Sequence, residues 1–372
     1  MTHKYMIMKK NRIVMLLAIL SVINIVTTAQ TSQKLSVGKA SDYGLIYTLP
    51  LTALDIYIEA ELTEEHPGDF YNYARKHLSI DNAIVADRQS AKILSVVVVP
   101  KGVPNKEEQW LAQFKNGTSA YMTLSPDNIP LTINCEASPV LNQPALPVAK
   151  EALSSPLETP EAQQAVTQDM ARSSSTSKKA ELAANRIFEL REMRSDILSG
   201  QADNPPADGA AMKLVLDNIA AQEAALTAMF AGVRTTRTIV EKVSFVPEAK
   251  EVKGKVIARL SVVDGIVDAD NLAGAPITVD MRVIEEGELP LNEKGEKKTF
   301  PKGGVAYCIP GIAEISVSYA GNRIASEKVS LAQLGVVFGL NPALFTDKKE
   351  PYSLVFDPAT GAVVKLEPTP SK

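Results

Sequence analysis

Residues 177–232 read SKKAELAANRIFELREMRSDILSGQADNPPADGAAMKLVLDNIAAQEAALTAMFAG. Ala183, Ile187, Leu190 and Ile197 recur at helical spacing, interrupted by Arg194, and predict a helix over 178–199. Ser177 can cap its start, and Gly200 can stop it in a left-handed conformation. Pro205 and Pro206 prevent the helix from running on. Asp208 is the expected N-cap of a second helix over 209–231, with Met212, Leu216, Ile219, Leu226 and Phe230 as its stripe and Gly232 at its end. Each helix of about 22 residues is roughly 33 Å long. An antiparallel hairpin follows, in which each apolar stripe is used up by the other helix. Glu223 sits inside the second stripe, with Arg191 and Arg194 across from it. Two readings stand: a half-buried structural ion pair, or a clamp for a ligand carboxylate.

Both flanks of the hairpin read as strand. Leu54, Ile56, Ile58, Ala60 and Leu62 alternate with polar residues, as in a half-buried strand. A strand over 43–49 is expected to stop at Pro50. Ile93 to Val99 is apolar throughout. Trp110, Ala112 and Phe114 alternate up to Asn116-Gly117, which predicts a tight hairpin into 118–124. Beyond the helices, strands are expected over 235–246, 255–263, 277–284, 305–309, 312–319, 323–329, 352–356 and 362–366. The fold class is therefore α+β, mainly β: two β-rich modules, the C-terminal one sandwich-like, linked by the antiparallel helical hairpin. The expected divisions are a signal peptide over 1–29, an N-terminal β-rich module with one short helix over 36–136, and a Pro/Ser-rich linker over 137–176. The hairpin over 177–232 and the C-terminal module over 233–367 complete the chain. One echo crosses the modules: 44–50 (GLIYTLP) resembles 304–310 (GVAYCIP), with Ala53 and Ala313 at the same offset beyond. After the prolines the apolar phase differs by one residue, Leu54 and Ile56 against Ile315 and Val317. Duplication and coincidence both account for it.

The N-terminus reads as an address. Lys4, Lys9, Lys10 and Arg12 precede an apolar run from Ile13 to Val26, and Thr27-Thr28-Ala29 gives a cleavage site before Gln30. The run is too short to span a bilayer comfortably. No Cys follows it, so no lipoprotein anchor is expected, and no second such run predicts a transmembrane segment. The chain is expected to be exported, to the periplasm or the outer surface. At 45% hydrophobic and 22% charged residues it has the composition of a folded protein, and a net charge of −4 without a basic block argues against nucleic acid.

Several tracts carry a family resemblance. Phe188-Glu189-Leu190-Arg191-Glu192, Leu198-Ser199-Gly200, Pro206-Ala207-Asp208-Gly209 and Phe230-Ala231-Gly232 resemble the signature of an uncharacterised family, a domain of unknown function, of exported Bacteroides-type proteins. Tyr47-Thr48-Leu49-Pro50, Phe70-Tyr71-Asn72-Tyr73-Ala74 and Asp357-Pro358-Ala359-Thr360-Gly361 fit the same family. The resemblance implies a Gram-negative envelope location and supplies no catalytic residues.

Candidate chemistry is sparse. His66 and His77 are isolated and give no ligand spacing, and no Gly-x-Ser-x-Gly elbow, phosphate loop or dinucleotide fingerprint occurs, so no cofactor is expected. Asp264, Asp268, Asp270 and Asn271 form a weak metal candidate, but the alternating calcium pattern fails after Asp270, and an Asx turn is the ordinary reading. Cys135 and Cys308 could form a disulfide in an exported protein, or stand as buried free thiols. The leading expectation is a non-catalytic envelope protein that binds another envelope protein or a glycan. A carboxylate-dependent hydrolase acting on glycan and self-association through the helical hairpin are the alternatives. A pocket with two nearby carboxylates would favour the first alternative; an open sheet edge would favour binding.

Overall fold

The computed structural model describes residues 44–114, 120–136, 144–204, 209–347 and 349–369. The expected signal peptide, the Asn116-Gly117 pair and Asp208 lie outside them. Among these residues strand accounts for 45% and helix for 23%, which makes the class α+β, mainly β. The strands are β1 (Leu45–His66), β2 (Arg88–Ala112), β3 (Met122–Leu124), β4 (Pro130–Ile133), β5 (Val233–Phe245) and β6 (Val252–Ser261). They continue with β7 (Gly265–Asp268), β8 (Ala275–Glu285), β9 (Val305–Tyr319), β10 (Asn322–Leu340), β11 (Tyr352–Phe356) and β12 (Val363–Pro368). Three antiparallel sheets result, ordered β2-β1-β5, β10-β9-β8-β6-β7 and β12-β11-β4-β3.

The β-rich regions on the two sides of the helices are interleaved. β5 pairs with β1, and β11 pairs with β4. The first two sheets face each other as a sandwich. Leu54, Ile56 and Ile58 of β1 pack there against Ile277 and Val279 of β8 and Ile315 and Val317 of β9, all fully buried. Each such side chain is worth about 1.5–3 kcal/mol of burial. The third sheet closes a second core around Tyr47, Trp110, Ile133, Phe345 and Leu354.

Two long hairpins, β1/β2 and β9/β10, run through both cores. The strands expected to stop at Pro50 and at Ile309 instead continue past their prolines. Thr48 faces Gln109 and Pro50 faces Pro104, so β2 carries three extra residues opposite the turn into Pro50. Ile309 faces Val336 and Gly311 faces Leu331, so β10 carries three extra residues opposite Pro310. The ladder is already broken where each proline lacks its N–H, and the strand bends without ending. The Asn-Gly hairpin reading is corrected by its flanks: Trp110 pairs with Tyr47, and β3 pairs with β4.

The helices are α1 (Ala74–Leu78), α2 (Pro160–Ala165), α3 (Gln168–Arg172), α4 (Thr176–Ser199) and α5 (Ala210–Ala231). The N-cap of α4 is Ser175, whose side chain accepts from Lys178 N, rather than Ser177; Gly200 ends it at φ 75°. The stretch read as linker is helical in part, and Thr159 and Thr167 cap α2 and α3 through their hydroxyls. α4 and α5 do not exhaust each other's stripes. Phe230 of α5 also meets the Phe70 ring at 5.4 Å, and Ala165 and Met170 join the same core. Phe70, four residues beyond the end of β1, is tied into this cluster by its N–H, which donates to Met229 O at 2.7 Å.

Candidate functional site

The three sheets meet at the two prolines, and the turn Asp357-Pro358-Ala359-Thr360-Gly361 between β11 and β12 is wedged into that corner. The turn is self-fastened. Gly361 N donates to Asp357 O at 2.7 Å, and Asp357 N donates to Ala362 O at 2.8 Å. The Asp357 carboxylate accepts from Ala359 N at 3.0 Å and from Thr360 Oγ1 at 2.6 Å. Gly361 has φ 73°, a conformation that suits glycine.

Both hairpins grip this turn. Thr52 of β1 is fully buried; its hydroxyl donates to Ala359 O at 2.9 Å and accepts from Ala332 N at 3.0 Å. Gln333, in the three-residue excess of β10, accepts from Thr52 N and donates to Thr52 O, both at 3.0 Å, and donates to Pro247 O at 2.9 Å. Cys308 N of β9 donates to Gly361 O at 2.9 Å. A side chain at Gly102 of β2 would lie 2.0 Å from Pro358 O. The turn therefore cannot move without breaking buried bonds in both hairpins.

Beside it opens a groove of about 430 Å³. Val99, Pro100, Pro310 and Val364 form apolar walls, and Lys328 and Ser330 of β10 supply polar groups. The groove's carboxylate, Asp357, is spent on the turn, whereas Lys328 is in no ion pair among the described residues. Burial, then the charges of Glu108 and Asp357, push the nearby Cys308 thiol up to about 12, so it is a poor nucleophile at neutral pH. Burial also raises Tyr47, whose hydroxyl donates to Ala306 O at 3.0 Å. The arrangement can hold an apolar group with an acceptor turned toward Lys328.

The residues singled out from sequence lie elsewhere or play other parts. Arg191 Nε is 2.7 Å from the Glu223 carboxylate and Arg194 is 4.0 Å from it, so the three side chains join α4 to α5. Cys135 and Cys308 are not bridged: both are free thiols, directed at Leu354 O and Ala332 O respectively. Asp264, Asp268 and Asp270 are not gathered into a cluster, and among the described residues no group of three or more His, Cys, Asp or Glu could hold a metal. Arg259 donates to Ala269 O and Gly274 O, so a guanidinium already answers the carbonyls of that loop. His66 bonds Asp87 at 2.7 Å, and His77 lies beside Tyr73 at the helical end. Thr52, Gln333 and Lys328 carried no sequence signal: Lys328 sits in the expected strand over 323–329, and Thr52 and Gln333 fall in stretches between expected strands. The Asp-Pro-Ala-Thr-Gly turn was the visible trace.

A family model described as a domain of unknown function, DUF4831, matches residues 43–364. No curated protein and no solved structure matches the chain.

Proposed function

The chain belongs to the DUF4831 family of unknown function, and from that premise we propose that it is a non-catalytic exported protein of a Bacteroides-type cell envelope that binds another envelope component in the corner groove. The observation that carries this reading is the groove itself. It combines apolar walls and a lysine in no ion pair among the described residues with a carboxylate already held by Ala359 N and Thr360 Oγ1. General acid–base work on a glycan would ask for two carboxylates free to exchange protons. The sequence signal at 1–29 supports export, with the mature chain beginning at Gln30.

The test is a photo-reactive side chain placed at Val364 in the full chain, expressed in its native cells. A discrete adduct is expected from Val364 and none from a control at Val85, an exposed position 67% accessible at the helical end. N-terminal sequencing of the mature protein should begin at Gln30. Equal adducts at both positions, or release of sugar from envelope glycan by the purified chain, would overturn the reading.

A further inference from the structure

β5 is an edge strand whose inner side pairs with β1 from Leu54 to His66. On its outer side, Thr238 exchanges two backbone hydrogen bonds with Lys150, each 2.9 Å, in antiparallel sense. In such a ladder the N–H and C=O of one residue point the same way, and the pattern repeats every second residue. Val240, Lys242 and Ser244 therefore also turn their backbone groups outward. Among the described residues no backbone partner engages them on that side. The same stretch borders a cleft of about 490 Å³ between the two large sheets, with Val243, Ile257 and Ile266 among its lining. The facing strand β7 has only four residues, so the sandwich stays open here.

Two carboxylates and one lysine, Lys242, line this opening. Glu241 stands opposite Ile58 in the register, which puts its side chain on the core-side face of β5, at the mouth of the cleft. Asp268 lines the same cleft from β7. Neither forms an ion pair among the described residues. Lys242, on the opposite face of β5, is occupied by Asp55 at 3.5 Å. An inward-pointing charge on an edge strand discourages indiscriminate strand pairing, and it favours the one partner that brings the opposite charge.

We infer that the β5 edge over 240–244 is a strand-addition site for an extended segment of another envelope protein, running antiparallel as the Lys150 segment does. A Lys or Arg of that segment faces Glu241 and Asp268, and an apolar side chain two positions along covers Val243 and Ile266. Main-chain bonds supply affinity and the basic residue supplies selectivity. The inference rests on the binding reading above but uses a different surface from the corner groove.

The probes are short synthetic peptides of alternating Val and Thr with a central Lys, and the same peptides with Glu in place of Lys, added to the full mature chain. The Lys peptide is expected to bind and to slow amide exchange at Val240, Lys242 and Ser244. The Glu peptide is expected to bind about tenfold more weakly, and Glu241→Lys should reverse the order. Lys242→Pro removes an N–H that faces the open edge, where proline is tolerated, and should abolish binding, whereas Lys242→Ala, which loses the same contact to Asp55 but keeps the N–H, should still bind the Lys peptide. Equal affinity for both peptides, protection away from β5, or a doubled mass that protects the edge without peptide would overturn the inference. Should the edge fail while Val364 still captures its partner, only the strand-addition site falls; loss of the Val364 adduct with intact peptide binding removes the groove alone.

Discussion

The β1/β2 and β9/β10 hairpins are built on one backbone plan and bury opposite faces. The pairs Tyr47–Trp110, Thr48–Gln109, Ala53–Lys101 and Tyr57–Val97 in the first correspond to Tyr307–Phe338, Cys308–Val337, Ala313–Val329 and Val317–Ala325 in the second. The correspondence holds through the bend, with three extra residues in the second strand each time. The 44–50 and 304–310 tracts are thus equivalent parts of a structural repeat. Beyond the bend, β1 buries Leu54, Ile56 and Ile58, whose counterparts in β9 are the polar Glu314, Ser316 and Ser318. β9 buries Ala313, Ile315 and Val317, whose counterparts in β1 are Ala53, Asp55 and Tyr57. A one-residue change in apolar phase hands the core to the other side of the sheet. The two units therefore stack like successive layers, not as mirror partners. Each exposed layer face is polar and pairs its charges locally: Glu61 with Lys92 at 2.6 Å, and Glu314 with Arg282 at 2.9 Å.

Substitution at equivalent positions breaks this comparison most directly. Ile56→Ala should cost about 4 kcal/mol and Ile315→Ala about the same, whereas Ser316→Ala, the counterpart of Ile56, should cost about 1 kcal/mol or less. Chemical denaturation reads the difference, and similar losses at Ile56 and Ser316 would refute the opposite-face assignment. Next in size is the bulge. A side chain at Gly335 would lie 2.3 Å from Ile309 O, so Gly335→Ala should destabilise by about 3 kcal/mol. Its counterpart Glu107 is exposed, and Glu107→Ala should stay within about 0.5 kcal/mol.

Two smaller effects sharpen the comparison at the corner. Thr52 corresponds to Ile312, and only Thr52 holds the Asp-Pro-Ala-Thr-Gly turn. Thr52→Val leaves Ala332 N and Ala359 O buried without their partner and should cost about 2 kcal/mol. The adduct at Val364 should weaken with it. Cys308 corresponds to Thr48, which does not titrate. The folded thiol is raised from 9.0 to about 12, so its contribution to stability is whole below pH 9 and falls as pH rises toward 12. Between pH 9 and pH 10.5 the loss should be about 2 kcal/mol. Cys308→Ala should remove that part of the alkaline slope while Tyr47, also raised by burial, retains its own at higher pH. An unchanged slope would show that the thiol is not the titrating group.

Much of the fold was legible because its signals are local. The helical stripes of α4 and α5 are periodic, Gly200 marks a left-handed stop, and Leu54 to Leu62 alternate in the sequence. The errors share one cause. Pro50 and Pro310 look like strand ends because sequence shows a missing N–H and not the bulge across the ladder that makes the loss harmless. The Asn116-Gly117 pair looks like a hairpin because its flanks alternate, but Trp110 finds Tyr47 and Met122 finds Ile133. The corner groove was almost invisible, since Thr52 and Gln333 lie 281 residues apart and meet only in the folded chain.

By itself the sequence determined the periodicities, and with them the class of the protein, the two long helices and the identity of the apolar faces. Periodicity is a property of consecutive residues and survives without any partner. Which strands lie side by side, which face of each hairpin meets the other, and that a turn near residue 357 locks two bends far from it in the chain were decided only by the tertiary structure. Those outcomes depend on which surfaces compete for burial and on which buried polar groups find partners, and both are settled between segments distant in sequence.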